Sequence, residues 1–172
     1  MQSIRELTEL ETRSITLDAR IAAIRWDLVP FGMVWDLDVP VSERKNAKMC
    51  RAWIYFDGLD DLSIPLSRVR LPTGCWLDSG IQVNPLGNEL SEFRIQGLFP
   101  RFQGNLLNRP SLVQEIVVVA KTVFGAVSKD CAAPSDFGLD LYERRLLGSE
   151  DDFLELVRLQ GFSVPGGTIP EP

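Results

Sequence analysis

The chain of 172 residues contains no histidine. That absence removes Ser-His-Asp and Cys-His catalysis, and it removes imidazole as a metal ligand. Carboxylates, lysine and tyrosine remain as acid–base groups, but no spacing singles out a carboxylate pair for glycoside hydrolysis. Cysteine is scarce: Cys50, Cys75 and Cys131 are far apart and odd in number. Neither a disulfide framework nor a paired-thiol metal knuckle is expected, so the three are taken as reduced, buried and apolar in character. Long apolar runs are missing too, and none approaches the roughly 18–20 residues that span a bilayer. The opening MQSIRELTELETRS is charged and lacks the apolar stretch of a secretory signal, so a soluble, cytoplasmic protein is expected. Phosphate cradles are absent: there is no GxxxxGK, and no GxGxxG opens a helix after a strand. No cofactor is expected.

What is present is ordinary globular composition, with 45% hydrophobic and 24% charged residues. The length suits one core, placed at residues 1–162, with the Pro/Gly-rich end at 163–172 as a flexible tail. The net charge of −6 is unevenly spread. Residues 1–129 hold fifteen acidic and fifteen basic residues, whereas residues 130–172 hold nine and three. An acidic end repels phosphate backbones, which disfavours nucleic acid, and it suits a basic protein partner. A solvated helix and a polar tail that aid solubility would give the same imbalance.

Hydrophobic periodicity predicts a mainly β protein. In SIRELTELE, Ile4, Leu7 and Leu10 with Ser3 and Glu6 predict a short capped N-terminal helix. From residue 14 the period becomes two: SITLD and IAAIRWDL read as strands. MVWDLDV places Met33, Trp35, Leu37 and Val39 on one side and Val34, Asp36 and Asp38 on the other, a strand with its polar side outward. MCRAWIYF and DLSIPL follow as strands, the second at an edge or bulge because of Pro65. CWLDSGIQV breaks at Ser79-Gly80, and SEFRIQGLF carries a candidate bulge at Gly97. PRFQGNLLNRP reads as a long loop. The valines of SLVQEIVVVAKTVFGAV argue for one long central strand. GSEDDFLELVRLQGF is the clearest element, a helix with Ser149 as N-cap, acidic residues in its first turn and Gly161 as the stop. The fold class is therefore an antiparallel sandwich or curled sheet of about seven or eight strands, with a short helix at each end.

Three groups of residues are candidates for function. Asp57, Asp60 and Asp61 in FDGLDDL have the chemistry of a calcium site, although calcium takes six to eight oxygens. Asp36 and Asp38 would sit at the opposite end of a hairpin from Asp57. A tight turn explains the cluster more simply, because Asp-Gly is a hairpin signal. Trp26, Trp35, Trp53 and Trp76 fall in strands, where they line a carbohydrate or peptide groove if exposed and fill a core otherwise. Glu150, Asp151 and Asp152 form an acidic helix start that a basic partner would recognise. The Arg144-Arg145 pair before it is expected in salt bridges or in solvent.

The run from SITLDARIAAIRWDL through VWDLDVPV to WIYFDGLDDLSI, residues 14–70, resembles small acidic sheet-rich proteins of bacterial toxin-immunity and neighbouring uncharacterised families. The resemblance implies a binding protein that blocks a toxin, with no catalytic residues to carry over. The expected function is a non-catalytic protein-interaction module, such as an immunity-type inhibitor or an assembly subunit, open to homo-oligomerisation through an edge strand. The alternative is a calcium- or carbohydrate-binding β-sandwich; a carboxylate-based hydrolase comes third.

Overall fold

The computed structural model describes residues 3–25, 32–43, 47–64, 76–99, 112–134 and 139–162. Among the described residues ten strands and three helices follow one another. They are β1 (Ile4–Glu6), α1 (Glu9–Ser14), β2 (Arg20–Arg25), β3 (Gly32–Pro40), β4 (Met49–Asp57), β5 (Asp61–Ser63) and β6 (Trp76–Leu77). They continue as β7 (Gln82–Gly87), β8 (Leu90–Phe99), β9 (Leu112–Ala120), β10 (Thr122–Ala132), α2 (Leu141–Leu146) and α3 (Glu150–Leu159). One open antiparallel sheet runs in the order β1-β10-β4-β3-β2-β6-β8-β9-β5, with β7 paired to β8. The protein is mainly β, as the periodicity predicts.

Alternation along β3 and β4 builds two cores. Met33, Trp35 and Leu37 of β3 and Ala52, Ile54 and Phe56 of β4 point into the larger one. There they meet Phe93 and Ile95 of β8 and Ile116 and Val118 of β9. Phe56 lies edge-on to Trp35 at 5.2 Å and to Phe93 at 5.7 Å, so the sheet curls until its two halves touch. The opposite face of β4 and β10 presents Trp53, Tyr55, Phe124 and Ala126 to Phe153, Leu154, Leu156 and Val157 of α3. Phe153 stacks on Trp53 at 5.9 Å and on Phe124 at 6.0 Å. Burying the apolar side of α3 in this way contributes on the order of 1.5–3 kcal/mol per large side chain. A third, small cluster joins Met49, Leu139 and Leu147, with Ala132 against it.

Several expectations are corrected. Ile4–Glu6 is a strand paired with β10, and the first helix is capped five residues after the predicted cap, Ser3. Its N-cap is Thr8, whose hydroxyl accepts from Glu11 N–H while the Glu11 side chain accepts from Thr8 N–H. The same box pattern occurs twice in the stretch, and the edge of β10 takes the first copy into the sheet. SITLD is the end of α1 at Ser14 and a turn over residues 15–18, with Asp18 at φ +60°. The valine-rich run is two strands that part at Lys121, because β9 pairs with β8 and β5 while β10 pairs with β4 and β1. The β8–β9 register continues through Gly97 opposite Gln114 without a bulge. The break at Ser79-Gly80 separates β6 from β7, and α3 keeps its cap at Ser149 and Gly161 at φ +85°. Pro65, the 100–110 loop, Trp26, Cys75 and the 163–172 tail lie outside the described residues.

The cysteines also depart from expectation. Cys50 and Cys131 form a disulfide between β4 and β10. A register shift between Val127 and Cys131 sets these two residues directly opposite each other, which no spacing in the chain announces. The bond joins positions 81 residues apart, so it restricts the unfolded chain strongly. Replacing Cys50 and Cys131 by serine is expected to lower stability by about 2–4 kcal/mol. Urea unfolding of the oxidised protein and the variant measures this difference.

Candidate interaction surface on the second helix

The side of β3 that sequence periodicity assigns to solvent is covered. Asp38 is fully buried and Asp36 nearly so, and three arginines from separate elements close over them. Arg51, on β4, lies beside both in the register Asp36↔Trp53 and Asp38↔Arg51. Its Nε donates to Asp36 Oδ1 at 3.2 Å and its Nη2 to Asp36 Oδ2 at 2.8 Å. Arg20 on β2 donates to Asp38 Oδ2 at 3.0 Å. Arg144 on α2 reaches down to both carboxylates, Nη1 to Asp38 Oδ1 and Nη2 to Asp36 Oδ1. The backbone N–H of Leu139 donates to Asp38 Oδ2 at 3.3 Å. Each of the four carboxylate oxygens has a donor.

Arg51 does a second job. Its Nη1 donates to the carbonyls of Arg144 at 3.0 Å and Gly148 at 2.5 Å, the chain on either side of the end of α2. Gly148 turns the chain into α3 at φ +122°, and a Cβ there would stand 2.8 Å from Ile4 Cγ2. Burial pulls the pKa of Arg144 down, but the charges and hydrogen bonds of Asp36 and Asp38 outweigh it, and the net shift is upward. The arginine stays charged in place. Breaking such a buried network from one side leaves carboxylates without their partner, so Arg144→Ala is expected to cost about 3–5 kcal/mol. The thermal and urea transitions of the variant check this value.

Anchoring by Arg144 dictates what α2 shows outward. At 100° per residue, Tyr142 and Leu146 lie about 160° around the helix from Arg144. Leu141, Tyr142 and Leu146 are 78%, 72% and 65% exposed. Other exposed large apolar residues, such as Leu10, Leu17, Val41 and Leu86, are scattered over α1, turns and β7, as on any soluble surface. Three within one six-residue helix are a concentration. Arg145, also on the outer side, is exposed.

The residues singled out from sequence are placed as follows. Glu150, Asp151 and Asp152 are the first turn of α3, starting four residues after Leu146. Glu150 pairs with Arg25 at 2.7 Å, and Asp152 completes the capping box with Ser149. Asp151 is exposed. Asp57 pairs opposite Gly32, at the far end of the β3–β4 hairpin from Asp38. Its Oδ1 accepts from the Tyr55 hydroxyl at 3.1 Å, and burial, then Asp57, pushes the Tyr55 pKa upward. Asp-Gly does not close a hairpin here: β5 pairs with β9, so the chain crosses from one half of the sheet to the other. Asp60 and Asp61 are exposed, and Asp61 Oδ1 accepts from Leu62 N–H. Among the described residues no group of three or more acidic or cysteine side chains could hold a metal ion. Trp35 and Trp53 are fully buried, while Trp76 on β6 is 40% exposed.

Sequence reasoning missed α2. Its signal was the Asp140-x-x-Glu143 box, in which Asp140 accepts from Glu143 N–H and Glu143 from Asp140 N–H. Comparison with known proteins finds no matching family model, no similar curated protein and no similar solved structure.

Proposed function

We propose that the protein is a non-catalytic protein-interaction module that binds its partner through the outer face of α2. The observation that carries this is the pairing of a rigid anchor with an apolar surface. A helix pinned by buried ion pairs displays a tyrosine and two leucines to solvent. Interfaces place aromatic and aliphatic anchors at the centre and polar groups at the rim. Here Asp151, exposed in the first turn of α3 five residues after Leu146, supplies an acidic group for the rim. The partner that fits is a protein with an apolar pocket beside a basic patch. An immunity-type inhibitor of a basic toxin, or a subunit of an assembly, has this need. The acidic quarter of the chain argues against nucleic acid.

No described helix is long and apolar enough to cross a membrane. A lasting disulfide belongs to oxidising compartments, so the cytoplasmic location expected from the sequence holds only with Cys50–Cys131 as a transient, redox-active bond.

Capture from the source lysate with wild-type protein and with Tyr142→Ala is the test. Wild type is expected to retain one stoichiometric, basic protein, and the variant to bind it at least tenfold more weakly with its melting temperature nearly unchanged. Equal capture by both, or no stoichiometric partner at physiological salt, contradicts the proposal. If the retained protein is a second copy of the chain, sedimentation will show a dimer that Tyr142→Ala dissociates.

A further inference from the structure

Three consecutive residues of β4 each hold a different part of the α2 mount. Met49 packs with Leu139 and Leu147, the residues that flank α2. Cys50 is bonded to Cys131. Arg51 grips Asp36 and the carbonyls of Arg144 and Gly148. Opposite them, β10 has just passed its irregularity: the paired register stops at Val127↔Ala52 and resumes only at Cys131↔Cys50 and Ala132↔Met49. In the gap, Ser128 Oγ accepts from Arg51 N–H at 2.9 Å and donates to the carbonyl of Asp130 at 2.8 Å. The end of β10 is therefore tied to β4 by two residue pairs, the Ser128 bridge and one covalent bond, while Lys129 N–H donates to the Ser3 carbonyl at 2.9 Å beside β1. Ala132 lies against the Met49–Leu139–Leu147 cluster, and nine residues later the chain begins α2.

From this arrangement we infer that the Cys50–Cys131 bond controls the α2 surface. Oxidised, it holds the end of β10 against Met49 and keeps α2 seated. Reduced, it frees that end, and α2 loses part of the floor under Leu139 and Leu147. Both cysteines are half-buried, so a small dithiol reaches the bond. The chemistry is ordinary exchange: two dithiol sulfurs close into a ring disulfide as Cys50 and Cys131 become thiols, taking up two electrons and two protons. Most of the β4–β10 ladder, from Thr122↔Asp57 to Val127↔Ala52, lies beyond the bulge. The change is local for that reason. This inference rests on the reading of α2 as the docking surface and adds its regulation.

Hydrogen exchange on the full chain, air-oxidised and then treated with dithiothreitol, tests it without any partner. Two newly titratable thiols confirm the reaction. The amides of Arg144 and Leu147, which donate to the carbonyls of Asp140 and Glu143 in α2, are expected to exchange at least tenfold faster after reduction. Those of β8 and β9 are expected to speed up only by the factor set by the fall in global stability, measured in parallel by urea unfolding, which shows that no local opening reaches them. The double variant Cys50→Ser, Cys131→Ser should behave as the reduced protein does. Unchanged exchange in α2, or local opening of β8 and β9 beyond the measured loss of global stability and equal to that of α2, overturns the inference. Capture by the two redox forms separates the two ideas. A partner retained equally by both forms, with α2 loosened, refutes regulation alone. No partner for either form refutes the docking surface and the regulation with it.

Discussion

The contact between Arg144 and the carboxylates of Asp36 and Asp38 is what the outer architecture depends on. A helix of six residues does not hold together alone, because nucleation consumes most of what its few hydrogen bonds return. Its shape is imposed by what it docks on. Here the dock is a pair of buried carboxylates, and burying them without cations would be strongly unfavourable. Asp36 and Asp38 thus require α2 as much as α2 requires them. Arg51 links the two sides, since one guanidinium reaches Asp36 and also the backbone at the end of the helix.

The two C-terminal helices are held by different physics, and their outward faces differ accordingly. Helix α3 buries Phe153, Leu154, Leu156 and Val157, which leaves mostly polar residues for solvent. Helix α2 is fixed by a charge, so its apolar residues are released from packing and face outward. An apolar surface on a helix of fixed position loses little freedom on binding, and this favours association. The disulfide and the Met49 cluster support the same region from the sheet side. The surface and its mount form one unit.

Much of the fold was legible in the chain. Period-two alternation marked β3 and β4, and the cap-and-stop chemistry of Ser149 and Gly161 marked α3, because those signals are local. What stayed hidden was pairing. The sequence could assign Asp36 and Asp38 to one side of a strand, but polar side chains on one side suggest solvent unless a partner 106 or 108 residues away is known. Cys50 and Cys131 were hidden likewise, since a bulge decides whether they face each other. The valine-rich run misled for a related reason: residues with strong β preference continue through Lys121, and tertiary pairing divides them between two halves of the sheet. The acidic start of α3 was found and α2 was not, because three adjacent acids are conspicuous while Asp140-x-x-Glu143 is faint. The candidate surface combines the two.

A double-mutant cycle tests the central dependence most directly. Stabilities of wild type, Arg144→Met, Asp38→Asn and the double variant, all measured by urea unfolding, isolate the coupling between the two side chains. If the buried pair fixes α2, the coupling is expected at about 2–3 kcal/mol, with the double variant far less damaged than the two single losses would sum to. A coupling below about 0.5 kcal/mol, with additive losses, would mean that the two residues act independently. The position of α2 would then have to rest on its apolar flanks alone.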